Sequence, residues 1–294
     1  MIEEKVKLEN IEINVKYELS DKPAVLFIHF SGGNLNMWDG VLPLFRNYYS
    51  VIIPDIRGHG KSDKPLEGYH IDDMASDIFS LLRKLKVERC HIVGSSMGAE
   101  VGLSLAAAHP ELILSLVCEG ALYNEFGEHG LFNGTEAEIK CKKEEMRLEL
   151  ATREERVFKT IEEFLEEERV KLTQQGIWTE HFLPFLKNNL QRMDNGNFTY
   201  CYLNRVRTEY IEKYWNVRFE QYYKKVSCPI LFLLSEEEWK DENIRKHLSV
   251  FTALLDVFEM KYIEKAIHAY VWMQFPIVAG EVAKNFIGKY SLSN

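Results

Sequence analysis

A serine in a short glycine-flanked segment is the residue of this sequence best placed to do chemistry. Ser96 is the centre of a G-x-S-x-G segment at residues 94–98. The apolar run 90–93 before it predicts a buried strand, and residues 97–108 after it predict a packed helix. A serine on a sharp turn between two such elements presents its hydroxyl beyond the end of the sheet, beside the unpaired N–H groups of the helix. The segment therefore predicts a nucleophile with the Met97 N–H as an oxyanion donor, although a glycine-lined turn with a chance serine has the same pattern.

Apolar runs and helical spacings alternate along the chain on both sides of this segment. The predicted strands are residues 5–8, 11–17, 24–29, 51–54, 90–93, 113–118, 230–234 and 257–263. The predicted helices are residues 37–45, 71–85, 97–108, 243–254 and 271–287. This alternation predicts right-handed βαβ units, and therefore an α/β fold with a mostly parallel central sheet flanked by helices. His29, Ser96 and Glu119 fall at the C-terminal ends of strands, where such sheets bind ligands.

Residues 123–222 interrupt the alternation. From residue 136 to residue 171 the chain is dense in Glu, Lys and Arg, with apolar residues at helical spacing, which predicts helices with a solvated charged face. Thr152 opens a capping-box pattern for the second helix, Gly176 predicts its end, and Thr179 predicts the start of another. We expect an all-helical insertion at 123–222 in a core made of 1–122 and 223–294.

Composition argues against several classes of protein. The chain of 294 residues has 36 basic and 45 acidic residues, and its net charge of −9 argues against a nucleic-acid partner. Its five cysteines show neither metal-ligand nor redox spacing, and an odd number argues against a secreted disulfide framework. The N-terminal segment has no apolar core of a signal peptide, and no apolar run approaches about 18 residues. We therefore expect a cytoplasmic protein with no membrane span, whose oligomeric state the sequence leaves open.

Four segments, in the same order and with the same spacing, resemble the α/β-hydrolase family, and the resemblance covers nearly the whole chain. Residues 29–33 resemble the family's His-Gly oxyanion loop, and residues 54–62 resemble its Asp-x-Arg-Gly-x-Gly-x-Ser turn. Residues 94–98 resemble its nucleophile elbow, and residues 266–268 its Gly-x-x-His tail. The insertion 123–222 begins where this family carries its lid, or cap.

The resemblance implies a catalytic triad of Ser96, Glu238 and His268. In such a triad the imidazole takes the serine proton, and the carboxylate fixes the imidazole tautomer. The three residues follow the family order of Ser, acid and His. Glu238 matches the register of the family's Gly-x-x-Asp segment, and Glu119, which ends the strand before the insertion, is its rival. His268 taken alone is also compatible with a core or helix-capping histidine.

The resemblance also implies an oxyanion hole formed by the backbone N–H groups of Ser31 and Met97. Phe30 stands where the family usually has glycine, a change that either reshapes the hole or places an aromatic wall over the acyl group. His29 is expected to orient this loop, and His59 is expected to belong to a structural turn.

A serine at the elbow implies an acyl-enzyme, because epoxide hydrolases and haloalkane dehalogenases of this fold carry an aspartate there. We expect cleavage of a small carboxylic ester or thioester, a small-molecule acyl substrate as the partner, and no metal or organic cofactor. A non-catalytic or slow ligand-binding protein and a C–C hydrolase or lyase with the same triad stay open as alternatives. A histidine base also predicts that kcat/KM rises between about pH 6 and pH 8.

Overall fold

The computed structural model describes residues 1–120 and 122–291. The strands of these ranges are β1 (Ile2–Lys7), β2 (Glu12–Glu18), β3 (Ala24–Ile28), β4 (Ser50–Pro54), β5 (Cys90–Ser95), β6 (Ile113–Glu119), β7 (Asn124–Phe126), β8 (Gly130–Phe132), β9 (Val157–Phe158), β10 (Leu190–Arg192), β11 (Phe198–Tyr200), β12 (Ile230–Ser235) and β13 (Phe258–Ile263). The α-helices are α1 (Ile71–Lys84), α2 (Met97–Ala108), α3 (Glu136–Ala151), α4 (Ile161–Gln174), α5 (Phe182–Lys187), α6 (Asn204–Tyr214), α7 (Phe219–Tyr223), α8 (Glu236–Lys240), α9 (Glu242–Thr252), α10 (Val271–Gln274) and α11 (Pro276–Gly288).

The central sheet contains eight of these strands in the order β1-β2-β4-β3-β5-β6-β12-β13. The strands from β4 to β13 in this order run parallel, whereas β2 pairs antiparallel with both β1 and β4. Every residue of β3 and of β12 is buried, because helices cover both faces of the sheet. This architecture confirms the predicted α/β fold with a mostly parallel sheet.

Two apolar clusters cover opposite faces of the sheet. Val25 and Phe27 of β3 belong to the cluster that contains residues of α11, whereas Leu26 and Ile28 belong to the cluster that contains residues of α1 and α2. This division follows from the strand itself, since successive side chains point to opposite faces. The sheet is thereby fixed between two layers, and its strand ends provide a rigid base for a site.

The helix that follows β5 has the predicted bounds, Met97–Ala108. It is rich in alanine and glycine, and ten of its residues are buried, because it packs against β5, β6 and α1. α1 lies within one residue of its prediction and begins with a capping box between His70 and Asp73.

The insertion between β6 and β12 is mainly helical and also contains the short strands β7 to β11, which the sequence analysis did not predict. β7 and β8 form a parallel pair, and β9, β10 and β11 form an antiparallel sheet. Thr152 ends α3 instead of starting a helix, and α4 starts after Thr160, whose side chain accepts the Glu163 N–H. Gly176, at φ +72°, follows the end of α4 as predicted.

Two predicted helices are each divided into two shorter elements. The segment 271–287 forms α10 and α11, which meet at Phe275 and Pro276, because proline lacks the N–H that a continuous helix needs. The segment 37–45 forms two 3₁₀ turns, Leu35–Trp38 and Leu42–Leu44. Within the described ranges, every helix is too short or too polar to cross a bilayer.

Candidate active site

Ser96 occupies the turn between β5 and α2 with φ +50° and ψ −118°. This conformation is costly for a residue with a side chain, and the packing around the turn maintains it. A Cβ on Gly98 would lie 2.1 Å from the Ile28 carbonyl oxygen, and a Cβ on Gly94 would lie 2.6 Å from the Ala99 nitrogen. Both glycines are therefore required for helix and sheet to approach closely enough to hold Ser96 in this conformation.

His268 lies in the loop after β13 and connects the serine to a carboxylate. Its Nε2 is 3.0 Å from Ser96 Oγ, and its Nδ1 is 3.1 Å from Glu119 Oε1. The backbone N–H of His268 donates to Glu237 Oε1 at 3.2 Å. The arrangement gives an imidazole that can accept the serine proton on one side and is held by a carboxylate on the other.

Two carboxylates approach the same ring nitrogen, one from the end of β6 and one from the helix after the neighbouring strand β12. Glu119, the last residue of β6, is fully buried, and its second oxygen accepts the Ser95 hydroxyl. Glu238, in α8 after β12, has Oε1 3.6 Å from His268 Nδ1, beyond hydrogen-bond distance. Its Oε2 accepts the backbone N–H and the hydroxyl of Ser235, both at 2.9 Å.

The hydrogen-bond partner of His268 differs from the sequence expectation, which favours Glu238. The hydrogen bond to His268 is made by Glu119, the rival. Motif register locates Glu238 correctly after β12, but the capping box of α8 holds its carboxylate to Ser235. Register along the chain does not reveal that β6 is adjacent to β12 and ends at the same edge.

The acids around His268 set its protonation. Burial by itself lowers the pKa of an imidazole, but the charge and hydrogen bond of Glu119 and the charges of Glu238 and Glu237 outweigh burial. Together they raise the pKa of His268 to about 9. The imidazolium is therefore the dominant form at neutral pH, and a general base requires its neutral form.

One predicted oxyanion donor belongs to the residue after Ser96, and the other belongs to a residue that lines a cavity with Ser96. Met97 is the first residue of α2, where N–H groups have no partner within the helix. Ser31 lines a cavity together with Ser96 and His268, and its hydroxyl lies 2.7 Å from the Tyr202 hydroxyl.

His29 holds the loop that carries Phe30 and Ser31. Its Nε2 accepts the Ile56 N–H at 3.0 Å, so the proton is on Nδ1, which donates to the Phe30 carbonyl at 2.8 Å. Burial lowers the pKa of His29, which favours this neutral form. The residue acts as a buried brace between the loop and the turn after β4.

The turn after β4 is held by hydrogen bonds of its own. Asp55 accepts the N–H groups of Leu35 and Lys61 and the side-chain amide of Asn14, at 2.8 to 3.0 Å. His59 stacks on Tyr202 of the insertion with ring centroids 4.3 Å apart. These contacts agree with the structural role expected for the turn.

Two cavities meet at Ser96 and His268. The first, which we call the acidic cavity, has a volume of about 380 Å³ and includes Glu100, Tyr123, Tyr214, Glu237, Glu238 and Asp241 in its lining. The second, which we call the aromatic cavity, has a volume of about 240 Å³ and is lined by Phe30, Ser31, Ala269 and Tyr270 in addition to Ser96 and His268. A substrate bond at Ser96 can thus have one substituent in each cavity.

A further groove of about 300 Å³ lies between α1, α2 and α7, and its lining includes neither Ser96 nor His268. Asp72 in that groove accepts hydrogen bonds from Ser104 at 2.6 Å and Tyr222 at 2.9 Å. These three polar groups of the groove are therefore hydrogen-bonded to one another.

Glu119, Glu238 and His268 also bring three potential metal-ligand atoms within 4.8 Å of one another. A cation there would replace the proton on His268 Nδ1 and compete with the hydrogen bond to Glu119. The same atoms are needed to orient the imidazole toward Ser96.

Sequence reasoning missed Ser95, Glu100, Tyr214 and Tyr270 as site residues. One of them could have been found from spacing, since Glu100 is four residues after Ser96 in α2 and therefore shares its helix face. The tyrosines lie far from Ser96 in the sequence, and no local pattern connects them with it.

Comparison with known proteins identifies the family of the chain. Residues 23–246 match the family model of the alpha/beta hydrolase fold, and the chain belongs to this family. A fluoroacetate dehalogenase of Burkholderia is 42% identical over 99 residues, which cover 32% of this chain and 33% of the relative. A 2-(acetamidomethylene)succinate hydrolase of Mesorhizobium japonicum is 35% identical over 116 residues, which cover 40% of this chain and 41% of the relative. The matches thus span well under half the length of these curated relatives.

The fold is matched over a much longer range. The crystal structure of an E-2-(acetamidomethylene)succinate hydrolase superposes with a TM-score of 0.77 at 20% identity, and covers 98% of this chain and 99% of that chain. At this identity the likeness concerns the fold. The chemistry of this chain has to be argued from its own residues.

Proposed function

We propose that this protein is a serine hydrolase that cleaves a small carboxylic ester or thioester through an acyl-enzyme intermediate. The observation that carries the proposal is the continuous chain of contacts from Ser96 Oγ through both nitrogens of His268 to Glu119, at 3.0 and 3.1 Å. The strained φ of Ser96 supports it, because such conformations cluster at functional sites.

In this mechanism Ser96 Oγ attacks the carbonyl carbon while His268 Nε2 takes its proton. The tetrahedral intermediate collapses, the bond to the alcohol or thiol breaks, and His268 returns the proton to the leaving group. Water then attacks the acyl-enzyme with the same base, and the carboxylic acid leaves. Glu119 holds the Nδ1–H of His268, and Glu238 adds a second negative charge that stabilises the imidazolium.

The backbone N–H groups of Ser31 and Met97 are proposed to bind the oxyanion. Two observations support this: Ser31 lines a cavity together with Ser96, and Met97 lies at the positive end of α2. Preorganised donors of this kind contribute roughly 3 to 4 kcal/mol each to transition-state stabilisation.

We propose that residues 123–222 form a lid over the site. Tyr123 and Tyr214 line the acidic cavity, and Phe185 packs on Phe30 with ring centroids 5.7 Å apart. Tyr202 contacts both Ser31 and His59. These contacts enclose the bond-breaking position and favour small substrates.

A fluorophosphonate probe tests the nucleophile directly. We expect labelling at Ser96, as mapped by mass spectrometry of peptides, and loss of both labelling and ester turnover in Ser96→Ala. Loss of a triad nucleophile costs on the order of a million-fold in kcat. Ser76→Ala, at an exposed position of α1, is the matched control and should keep both. Wild-type protein that neither reacts with the probe nor hydrolyses any ester or thioester of a panel would overturn the proposal.

A further inference from the structure

The acidic cavity beside Ser96 has a lining with a strong excess of negative charge. Glu100, Glu237, Glu238 and Asp241 contribute carboxylates, whereas none of the described lining residues is a lysine or arginine. His268 contributes one positive charge when protonated. Two tyrosine rings, Tyr123 and Tyr214, complete the part of the lining that matters for recognition.

Most of these carboxylates have a partner that explains their position. Glu237 accepts the His268 N–H at 3.2 Å, and Glu238 caps α8. Asp241 caps α9 by accepting the N–H groups of Asn243 and Ile244 at 2.8 and 3.3 Å. These three acids would be present for structural reasons alone.

Glu100 is different. It is 6% exposed, and one of its oxygens accepts the Tyr210 hydroxyl at 2.8 Å. Within residues 1–120 and 122–291, no donor is within hydrogen-bond distance of its other oxygen, although the residue lines the cavity one helical turn after Ser96. Burial raises the pKa of this carboxyl to about 7, against opposing effects of Tyr210 and His268.

A buried carboxylate with an open oxygen is costly unless a charge or donor meets it. A substrate ammonium group would satisfy it, and the faces of neighbouring tyrosine rings also attract ammonium groups. The cavity volume of about 380 Å³ is within the range of small-ligand sites. The aromatic cavity on the other side of Ser96 suits an uncharged substituent.

We infer that the acidic cavity binds the ammonium group of a cationic ester or thioester, and that Glu100 selects this charge. The inference rests on the proposed serine-hydrolase function, because it assigns the substrate class of that same site. It makes Glu100 a specificity residue that touches the substrate away from the bond that breaks.

Two pairs of isosteric esters test the inference with the full-length protein. One pair is a nitrophenyl butanoate ending in a trimethylammonium group and the same ester ending in a tert-butyl group. The other pair is acetylcholine and the acetate ester in which a tert-butyl group replaces its trimethylammonium group. At pH 8, where Glu100 is ionised, we expect a cationic preference of about tenfold or more in kcat/KM for at least one pair.

Two variants assign the preference to Glu100. Glu100→Gln keeps the side-chain shape and a partner for Tyr210, and should reduce the preference to about threefold or less. Glu125→Gln removes the same charge from β7, outside the lining of the acidic cavity, and should keep the preference. A preference that survives Glu100→Gln unchanged would refute the role of Glu100.

The outcomes separate this inference from the proposed function. Ser96-dependent hydrolysis with equal rates within both pairs overturns the inference and leaves the serine hydrolase standing. If no ester is hydrolysed, the binding of the paired esters to Ser96→Ala, measured by isothermal titration calorimetry, still decides the inference. Tighter binding of a trimethylammonium ester than of its tert-butyl isostere supports it, and equal binding overturns it.

Discussion

His268 Nδ1 lies 3.1 Å from Oε1 of Glu119, a fully buried carboxylate at the end of β6. The other oxygen of Glu119 accepts the Ser95 hydroxyl, so both oxygens of this buried group have donors. The imidazole is thereby tied to the strand that lies next to the one carrying Ser96. This pairing decides which substitutions should affect catalysis most.

Replacing each carboxylate by its amide should reveal unequal roles. Glu119→Gln should lower kcat by about ten-thousand-fold, the cost of the equivalent change in a serine protease, because an amide favours the wrong imidazole tautomer. Glu238→Gln should lower kcat by about tenfold, since Glu238 acts through its charge at 3.6 Å. Steady-state kinetics on one activated ester measures both, with thermal melting as the control for folding. A larger loss in Glu238→Gln would restore Glu238 as the main acid.

The pH at which kcat/KM rises should be higher than the value expected for a histidine with an ordinary pKa. The general base works as neutral imidazole, and the acids around His268 raise its pKa to about 9. We therefore expect kcat/KM to rise with pH up to about 9 on a substrate limited by chemistry. Removing the Glu238 charge lowers the stability of the imidazolium, so Glu238→Gln should move the rise to lower pH. A profile that levels off near pH 7 in both proteins would contradict this assignment of charges.

The elbow should tolerate no side chain at Gly98. A Cβ there would lie 2.1 Å from the Ile28 carbonyl oxygen, so α2 would have to move away from β3. Gly98→Ala should lower the free energy of unfolding by about 3 kcal/mol and abolish probe labelling at Ser96. Gly288→Ala is the matched control, because a Cβ at the end of α11 meets no atom within 4 Å. Urea unfolding of the two variants measures the difference, and equal stabilities would show that the close approach is not required.

Phe30 should limit the size of the substituent in the aromatic cavity. It is buried and packs on Phe185 and Tyr270, with ring centroids 5.7 and 5.9 Å away. Phe30→Ala should raise kcat/KM for an octanoate ester relative to an acetate ester by about tenfold. Phe258→Ala, on the exposed face of the edge strand β13, removes the same ring elsewhere and should leave the ratio unchanged. An unchanged ratio in both variants would place the acyl chain elsewhere.

The core of the fold was predictable because its signals are local and long enough to have a period. α2 has the predicted bounds, and the eight sheet strands lie within a few residues of theirs. The insertion was less predictable, since β9 has two residues and β10 and β11 have three each, too few to show an alternation. The break before Pro276 had a local signal, the proline itself, which the apolar spacing of the segment concealed.

The candidate site was also predictable only in part. Ser96 and His268 follow from motifs that carry their own structural context, and the structure brings them to 3.0 Å. The carboxylate that contacts His268 does not follow from a motif. It depends on which strand ends are adjacent and on where α8 holds the carboxylate of Glu238. Glu100 is a third case. Its spacing from Ser96 indicates that it lies near the serine, but its burial in the wall of the acidic cavity is visible only in the structure.

The pairing of β6 with β12 has a consequence for how such a site can evolve. Glu119 lies opposite Leu233 in the register of these strands, and Glu238 follows five residues later in the chain. One imidazole therefore lies near two carboxylates, one at the end of β6 and one in α8, the helix that follows β12. Loss of Glu238 would leave the hydrogen bond between Glu119 and His268 in place, whereas loss of Glu119 would leave a carboxylate that lies 3.6 Å away and is held by Ser235. The acid can therefore change its place in the sequence only if Glu238 is also released from the cap of α8.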